Sequence, residues 1–347
     1  MNSLRLESLT FLRFIAAYIV VIFHFGSKTG LANLSKPFLT SGSEMVTFFF
    51  VLSGFVLWIS QSTRKFSTRK YFFARVGRIY PIHILALIIV VWLNYGINSK
   101  NNLTGLLLSV PLVQSWFPTY STAFNFPSWS LAVEMFFYIT FPMLLFVIKK
   151  SKVSPKKLFI IAITFWLFTQ LVLINLFNSE NSLVIKQLVN YFPPSHLCSF
   201  VLGISVGLIY TENSKRIEYK KPWLVLASFL LIYLILQHPL KNILGYKIPL
   251  GSSFLAPIFA VPIIALAFTK NKINEFLGNK VFKLLGEASY GVYVFHMPLY
   301  IVIKKFSPDF FATDNGFYIY SVCLVIISII IFYAIEKPLN KTIRRLA

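Results

Sequence analysis

Long apolar runs recur along the whole chain, and the Lys, Arg, Asp and Glu residues collect in the short stretches between them. A helix needs about 20 mostly apolar residues to cross a bilayer, so runs of this length predict membrane-spanning helices. Ten are expected, over residues 8–26, 43–60, 79–97, 128–148, 157–177, 195–211, 222–238, 250–269, 285–304 and 316–335. A further apolar piece, Leu103 to Val113, is short and carries Pro111; it reads as a re-entrant or interfacial segment. There is no internal repeat, low-complexity tract or long soluble extension. The expected fold is all-α, a polytopic transmembrane bundle forming one membrane domain over residues 1–347.

Composition supports this reading and removes its competitors. Hydrophobic residues make up 56% of the chain and charged ones 13%, against about 25% charged in an ordinary soluble domain. So few charges could not cover a water-soluble globule of this apolar content, and a disordered chain would be far less hydrophobic. The net charge of +22 would suit nucleic acid, but the positions of the charges point to membrane topology instead. Of the 33 Lys and Arg residues, taking Lys157 and Lys304 at span edges with the adjoining loops, 24 fall in the two termini and the loops after spans 2, 4, 6 and 8, 8 in the other loops, and Arg13 within the first span. The positive-inside rule then puts both termini of this multi-pass protein in the cytoplasm. Cys198 and Cys323 lie inside apolar runs without metal-ligand spacing, so neither a metal site nor a structural disulfide is expected. The first apolar run holds Arg13 and His24 and lacks a small-residue cleavage site, which makes it a retained helix rather than a signal peptide.

An ionisable side chain in a membrane helix costs at least about 2.5–3.5 kcal/mol at the helix centre on insertion scales, so each one needs a partner or a task. Arg13 and His24 stand eleven residues apart in the first span, about three helical turns or roughly 16 Å. Arg13 is either a snorkelling cation or part of a site, and His24 either an interfacial histidine or a catalytic one. Arg75 and Arg78 share a helix face at the start of the third span. Paired guanidiniums match phosphate oxygens, although basic anchors are equally common at such a position. Ser128-Trp129-Ser130-Leu131-Ala132-Val133-Glu134 opens the fourth span and carries Glu134 about two turns deep, near the depth of His24. A carboxylate there would either orient the imidazole of His24 as a general base or form a structural pair with a lysine or a backbone group. Tyr290, Tyr293 and His296, spaced by three, form a polar stripe that either lines a cavity or bonds neighbouring helices. Glu336 ends the last span, where it is placed to pair with an arginine. His83, His196 and His238 lie near span ends and are assigned no chemistry.

These elements, in this order, resemble the family-3 membrane acyltransferases, the integral-membrane enzymes that O-acylate bacterial cell-surface glycans. The resemblance rests on Arg13 and His24, on Phe49-Phe50-Val51-Leu52-Ser53-Gly54-Phe55, on the R-x-x-R-x-x-P element at Arg75, Arg78 and Pro81, and on Trp129 to Glu134. The Ser-Tyr-x-x-Tyr-x-x-His run ending at His296 and the Glu336-Lys337-Pro338 tail complete it. It implies acetyl-CoA as donor substrate, with no permanently bound cofactor. The acceptor it implies is a hydroxyl of a cell-surface polysaccharide, lipopolysaccharide or lipid-linked glycan. It also implies catalysis by His24 and Glu134, donor binding by Arg13, Arg75 and Arg78, and supporting or cavity-lining roles for Ser53, Trp129, Ser130, Tyr290, Tyr293, His296 and Glu336. Some members carry an acidic residue just before the Phe-Phe pair of the second span. This chain has Thr47 there, which leaves Glu134 as the expected partner of His24. The chain ends soon after the tenth span, so it is expected to act through the membrane domain without an appended esterase-like domain. Partners are the donor, the glycan and the bilayer, not nucleic acid, and oligomeric state is left open. The alternative class is a transporter or flippase of a lipid-linked glycan, which would also use buried Arg, His and Glu.

Overall fold

The computed structural model describes residues 3–26, 42–93, 101–179, 182–214, 222, 225–227, 247–269 and 272–347. Its regular structure is helical throughout. We number the helices α1 (Ser3–Phe25), α2 (Gly42–Ser62), α3 (Thr68–Trp92), α4 (Leu103–Ser109), α5 (Ser128–Ser151), α6 (Pro155–Ser179) and α7 (Leu183–Tyr191). After these come α8 (Leu197–Asn213), α9 (Ala256–Ala267), α10 (Lys272–Leu277), α11 (Lys280–Phe306), α12 (Asp314–Ile331) and α13 (Lys337–Arg345).

Seven helices among the described residues are long and apolar enough to cross a membrane: α1, α2, α3, α5, α6, α8 with the turn before it, and α12 running on into α13. The chain is thus a multi-pass helical protein, with three of the ten expected spans standing differently. The span expected over 222–238 lies almost wholly outside the described residues, as does His238. The one expected over 250–269 is broken: Leu250–Phe254 forms a wide turn in which Ser253 has φ 75°, and α9 that follows has only 12 residues. The third, α11, has 27 residues, but its polar stripe and terminal lysines keep it outside the apolar seven. The 103–113 piece, expected to be re-entrant or interfacial, holds the seven-residue α4, capped by the Asn102 side chain accepting from Gly105 N at 2.9 Å. The helices are apolar outward as well as inward. Ile139, Met143 and Phe146 share one face of α5 and are all exposed, as expected where lipid replaces water.

The chain divides into two compact units. The first comprises Met1–Phe11, Ser43–Phe66 and Ile139–Lys283; the second comprises Leu12–Gly42, Ser67–Tyr138 and Leu284–Ala347. In the first unit α2 and α8 pack backbone to backbone. A Cβ on Gly54 would stand 2.1 Å from the Phe200 carbonyl oxygen, and one on Gly203 would stand 2.0 Å from that of Val51. Only glycine permits this mutual approach, the small-residue device by which membrane helices associate. Phe50, Phe55, Phe141, Phe200 and Phe259 fill the interior around the crossing.

The second unit is built on α3, α11 and α12, with the 101–127 segment laid against α3. His83 Nε2 meets the Ser109 carbonyl oxygen at 2.9 Å, and the Tyr80 hydroxyl donates to that of Pro111 at 3.1 Å. On α11, Gly291 admits Ser328 of α12, whose Cβ would lie 3.1 Å from an added methyl.

Candidate active site

All but one of the sequence-predicted site residues fall in the second unit, where they form two groups. The first is a cationic cluster. Arg75 and Arg78 project from successive turns of α3, and Arg13 comes from α1. The Arg75 guanidinium lies over two tyrosine rings, 5.8 Å from the centroid of Tyr71 and 5.5 Å from that of Tyr138. Such stacking holds the cation while leaving its hydrogen-bonding edge available. Indeed Arg75 Nε is buried with no hydrogen-bond partner. The Tyr71 hydroxyl donates to the Tyr138 carbonyl oxygen at 3.1 Å and ties α3 to α5 beneath the cation. Glu134, one turn before Tyr138, accepts from its hydroxyl at 3.3 Å. Its charged neighbours are Arg78, Arg13 and Arg75. Glu336, buried in the wide turn Phe332–Glu336, lies within electrostatic reach of Arg78. Arg13, Arg78 and Glu134 are enclosed by protein yet keep accessible surface.

The second group is a pair of imidazoles. His24, near the end of α1, stacks on His296 of α11 with ring centroids 5.2 Å apart and planes inclined by 22°. Phe126 meets the His24 ring edge-on at 5.4 Å. His296 Nδ1 lies 2.5 Å from the Tyr293 carbonyl oxygen. A carbonyl only accepts, so Nδ1 carries the hydrogen and Nε2 carries the lone pair. That Nε2 is buried and has no hydrogen-bond partner. The Tyr320 hydroxyl donates to the His296 carbonyl oxygen at 2.6 Å and fixes the backbone below the ring.

This grouping revises the expected pairing. Depth along the helices suggests an imidazole–carboxylate couple of His24 with Glu134. The structure instead puts Glu134 among three arginines, with Tyr138 donating to it. The ring beside His24 belongs to His296.

A sequence profile described as an acyltransferase domain, that of the family 3 acyltransferases, matches residues 6–337. The chain belongs to this family. It is 28% identical to the acyltransferase MdmB of Streptomyces mycarofaciens over 312 residues, 84% of this chain and 78% of that protein. It is 24% identical over 360 residues to a protein of Staphylococcus aureus (strain COL) named as an O-acetyltransferase. That alignment takes in 95% of this chain and only 56% of the staphylococcal relative. A protein of the Acidianus two-tailed virus named as an acetyltransferase is 23% identical over 237 residues, 66% of this chain and 64% of its own length. No solved structure matches.

In this family 3 acyltransferase several motif residues prove to be ties within the second unit. The Tyr290 hydroxyl donates to the Ile79 carbonyl oxygen at 2.9 Å, joining α11 to α3. Tyr293 shares a 2.8 Å hydroxyl contact with Ser130, whose own hydroxyl donates to the Pro127 carbonyl oxygen at 2.9 Å. The start of α5 is held from the other side as well. Gln114 Nε2 donates to the Ser128 hydroxyl at 3.1 Å, and the Ser115 hydroxyl donates to the Trp129 carbonyl oxygen at 3.2 Å. Trp129 itself is buried. The polar stripe of α11 therefore bonds neighbouring segments through Tyr290 and Tyr293 and reaches the imidazole pair through His296. Ser53 belongs to the first unit, where it is buried on α2. Tyr71 and Tyr138 were missed from the sequence. Tyr138 was findable, because it stands four residues after Glu134 on the same helix face.

Proposed function

We propose that this family 3 acyltransferase is a membrane O-acetyltransferase, taking an acetyl group from acetyl-CoA on the cytoplasmic side and placing it on a hydroxyl of a cell-surface glycan. One observation carries the reading: a single compact unit holds a cluster of arginines, among them Arg75 with an unpartnered Nε, together with a stacked pair of imidazoles. Arginine forks bind phosphate oxygens, and coenzyme A carries several phosphates. Arg75 and Arg78 would receive them, with Arg13 along the path of the pantetheine arm. From Arg13 the axis of α1 runs about 16 Å to His24, at about 1.5 Å per residue. That is a length an extended pantetheine arm can bridge. Both termini then face the cytoplasm, in keeping with the loop charges.

In the chemical step the acceptor oxygen attacks the thioester carbonyl carbon while an imidazole nitrogen of His24 takes the hydroxyl proton. The new C–O bond forms, the C–S bond breaks, and the proton passes from His24 to the departing thiolate. His296, tautomer-fixed by Tyr293, packs the face of the His24 ring and sets its orientation. Glu134 does its work at the arginines, balancing their charge and holding Tyr138.

The alternative reading as a flippase loses its footing with the family assignment. The decisive experiment uses the full chain purified in detergent and supplied with acetyl-CoA and surface-glycan extract. Acceptor-dependent thiol release, with an acetyl ester appearing on the glycan by mass spectrometry, is the expected result. Intact acetyl-CoA after incubation with extract from cells lacking the gene would refute the proposal.

A further inference from the structure

The C-terminal helix brings one more cation to the arginine cluster. α13 is seated directly on α3. A Cβ on Gly77 would stand 3.2 Å from Ile343 Cβ and 3.4 Å from the Cα of Asn340. Gly77 lies between Arg75 and Arg78, so the turn that bears both arginines is also the seat of α13. The far end of α13 is held too: Arg69 Nη2, on the first turn of α3, donates to the Leu346 carbonyl oxygen at 2.7 Å. Between these two anchors stands Arg344, exposed to solvent and next to the residue that contacts Gly77. The charged groups acting on it are Arg75 and Arg78, both cations. Glu134 and Glu336 are the carboxylates facing Arg13, Arg75 and Arg78, so with Arg344 four cations face two anions and a multiply charged anion relieves the excess. The planar forks suit phosphate oxygens in particular. The family profile matches residues 6–337, and Arg344 lies outside that match.

We propose that Arg344 completes, with Arg75 and Arg78, the site that binds the phosphate groups of the acyl donor, a phosphorylated nucleotide thioester. The inference rests on the donor-binding role given to Arg75 and Arg78 above. Lipid headgroups offer the same phosphate chemistry, so the test must separate the two sources.

The test uses the full chain in phosphatidylcholine vesicles, titrated with labelled acetyl-CoA and with adenosine 3′,5′-bisphosphate, which carries phosphates but no thioester. Arg344→Ala should weaken binding of both about tenfold, the loss expected for one charge-assisted hydrogen bond. Arg344→Lys should recover part of it, and Arg345→Ala, the adjacent exposed cation, should leave both affinities unchanged. Equal losses in Arg344→Ala and Arg345→Ala would reduce the effect to bulk charge and overturn the site. So would unchanged affinities in Arg344→Ala beside a clear loss in Arg75→Ala, and that outcome would leave the donor-binding reading intact. An effect confined to phosphatidylglycerol vesicles, seen as weaker membrane association, would assign Arg344 to lipid headgroups and overturn it as well. Absence of acetyl-CoA binding by the unmodified protein would instead remove the functional reading on which the inference rests.

Discussion

His196 and His296 are both fully buried histidines, one in each compact unit, and their surroundings differ in kind. Both ring nitrogens of His196 are engaged: Nδ1 meets the Ser253 hydroxyl at 3.0 Å and Nε2 the Asn190 carbonyl oxygen at 3.0 Å. The network around it serves the broken helix at Ser253. Trp166 Nε1 donates to the Ser253 carbonyl oxygen at 3.0 Å, and Gln170 Nε2 to that of Ser252 at 3.1 Å. Irregular backbone amid apolar helices is tolerated when side chains supply its missing bonds, and here they do. His296 spends one nitrogen on its own helix and keeps a lone pair on the other, beside a second imidazole. An orphan nitrogen alone would not separate the two cases. His83 Nδ1 is also unpartnered, but its ring neighbour is Tyr80, edge-on at 6.3 Å. A saturated histidine holds a fold together; one with a free lone pair stacked on another imidazole is placed to orient that ring.

Mutation should break this comparison at its strongest point first. His24→Ala is expected to reduce acetyl transfer on the order of 10²–10⁴-fold, the usual worth of a general base, with membrane insertion unchanged. Transfer above a tenth of the unmodified rate would take His24 out of the chemistry. His296→Ala should lower turnover by about tenfold or more through the loosened His24 ring, with little change in thermal stability in detergent. His196→Ala should do the reverse. Stranding the Ser253 hydroxyl and the Asn190 carbonyl costs about 1–3 kcal/mol, so the melting temperature drops while activity per folded molecule persists. If the two histidine variants gave the same pattern, the distinction drawn between them would be wrong. Gly203→Ala tests the scaffold without touching any histidine. A methyl 2.0 Å from the Val51 carbonyl oxygen forces α2 and α8 apart, at about 1–3 kcal/mol for overpacking. Smallest of all, Tyr290→Phe removes the bond to Ile79, worth about 0.6 kcal/mol on average between membrane helices. A tenfold loss of activity in that variant would move Tyr290 from scaffold to site.

The sequence carries depth along a helix far better than direction around it. Arg13, Arg75, Arg78 and Glu134 were all recognisable because each is an ionisable residue in an apolar run at motif spacing. The pairing of His24 was not, since Glu134 and His296 lie on different helices and axial position says nothing about which of them the ring faces. The interruption at Ser253 was equally hidden. Its apolar flanks read as one continuous span, and the bonds that allow the break come from α6 and from the turn before α8. Tyr290 shows the opposite limit. Its position in the stripe was plain, but its hydroxyl is committed to a carbonyl 211 residues away in the chain.

Because Arg13 and His24 ride on one uninterrupted helix, α1 behaves as a gauge block with a fixed twist. Adding a single residue between them would move one end about 1.5 Å outward and swing it by about 100° around the axis. A whole inserted turn would restore the bearing but lengthen the interval by about 5.4 Å. Reach and heading are thus locked to each other in this span, and evolution cannot retune the one without disturbing the other.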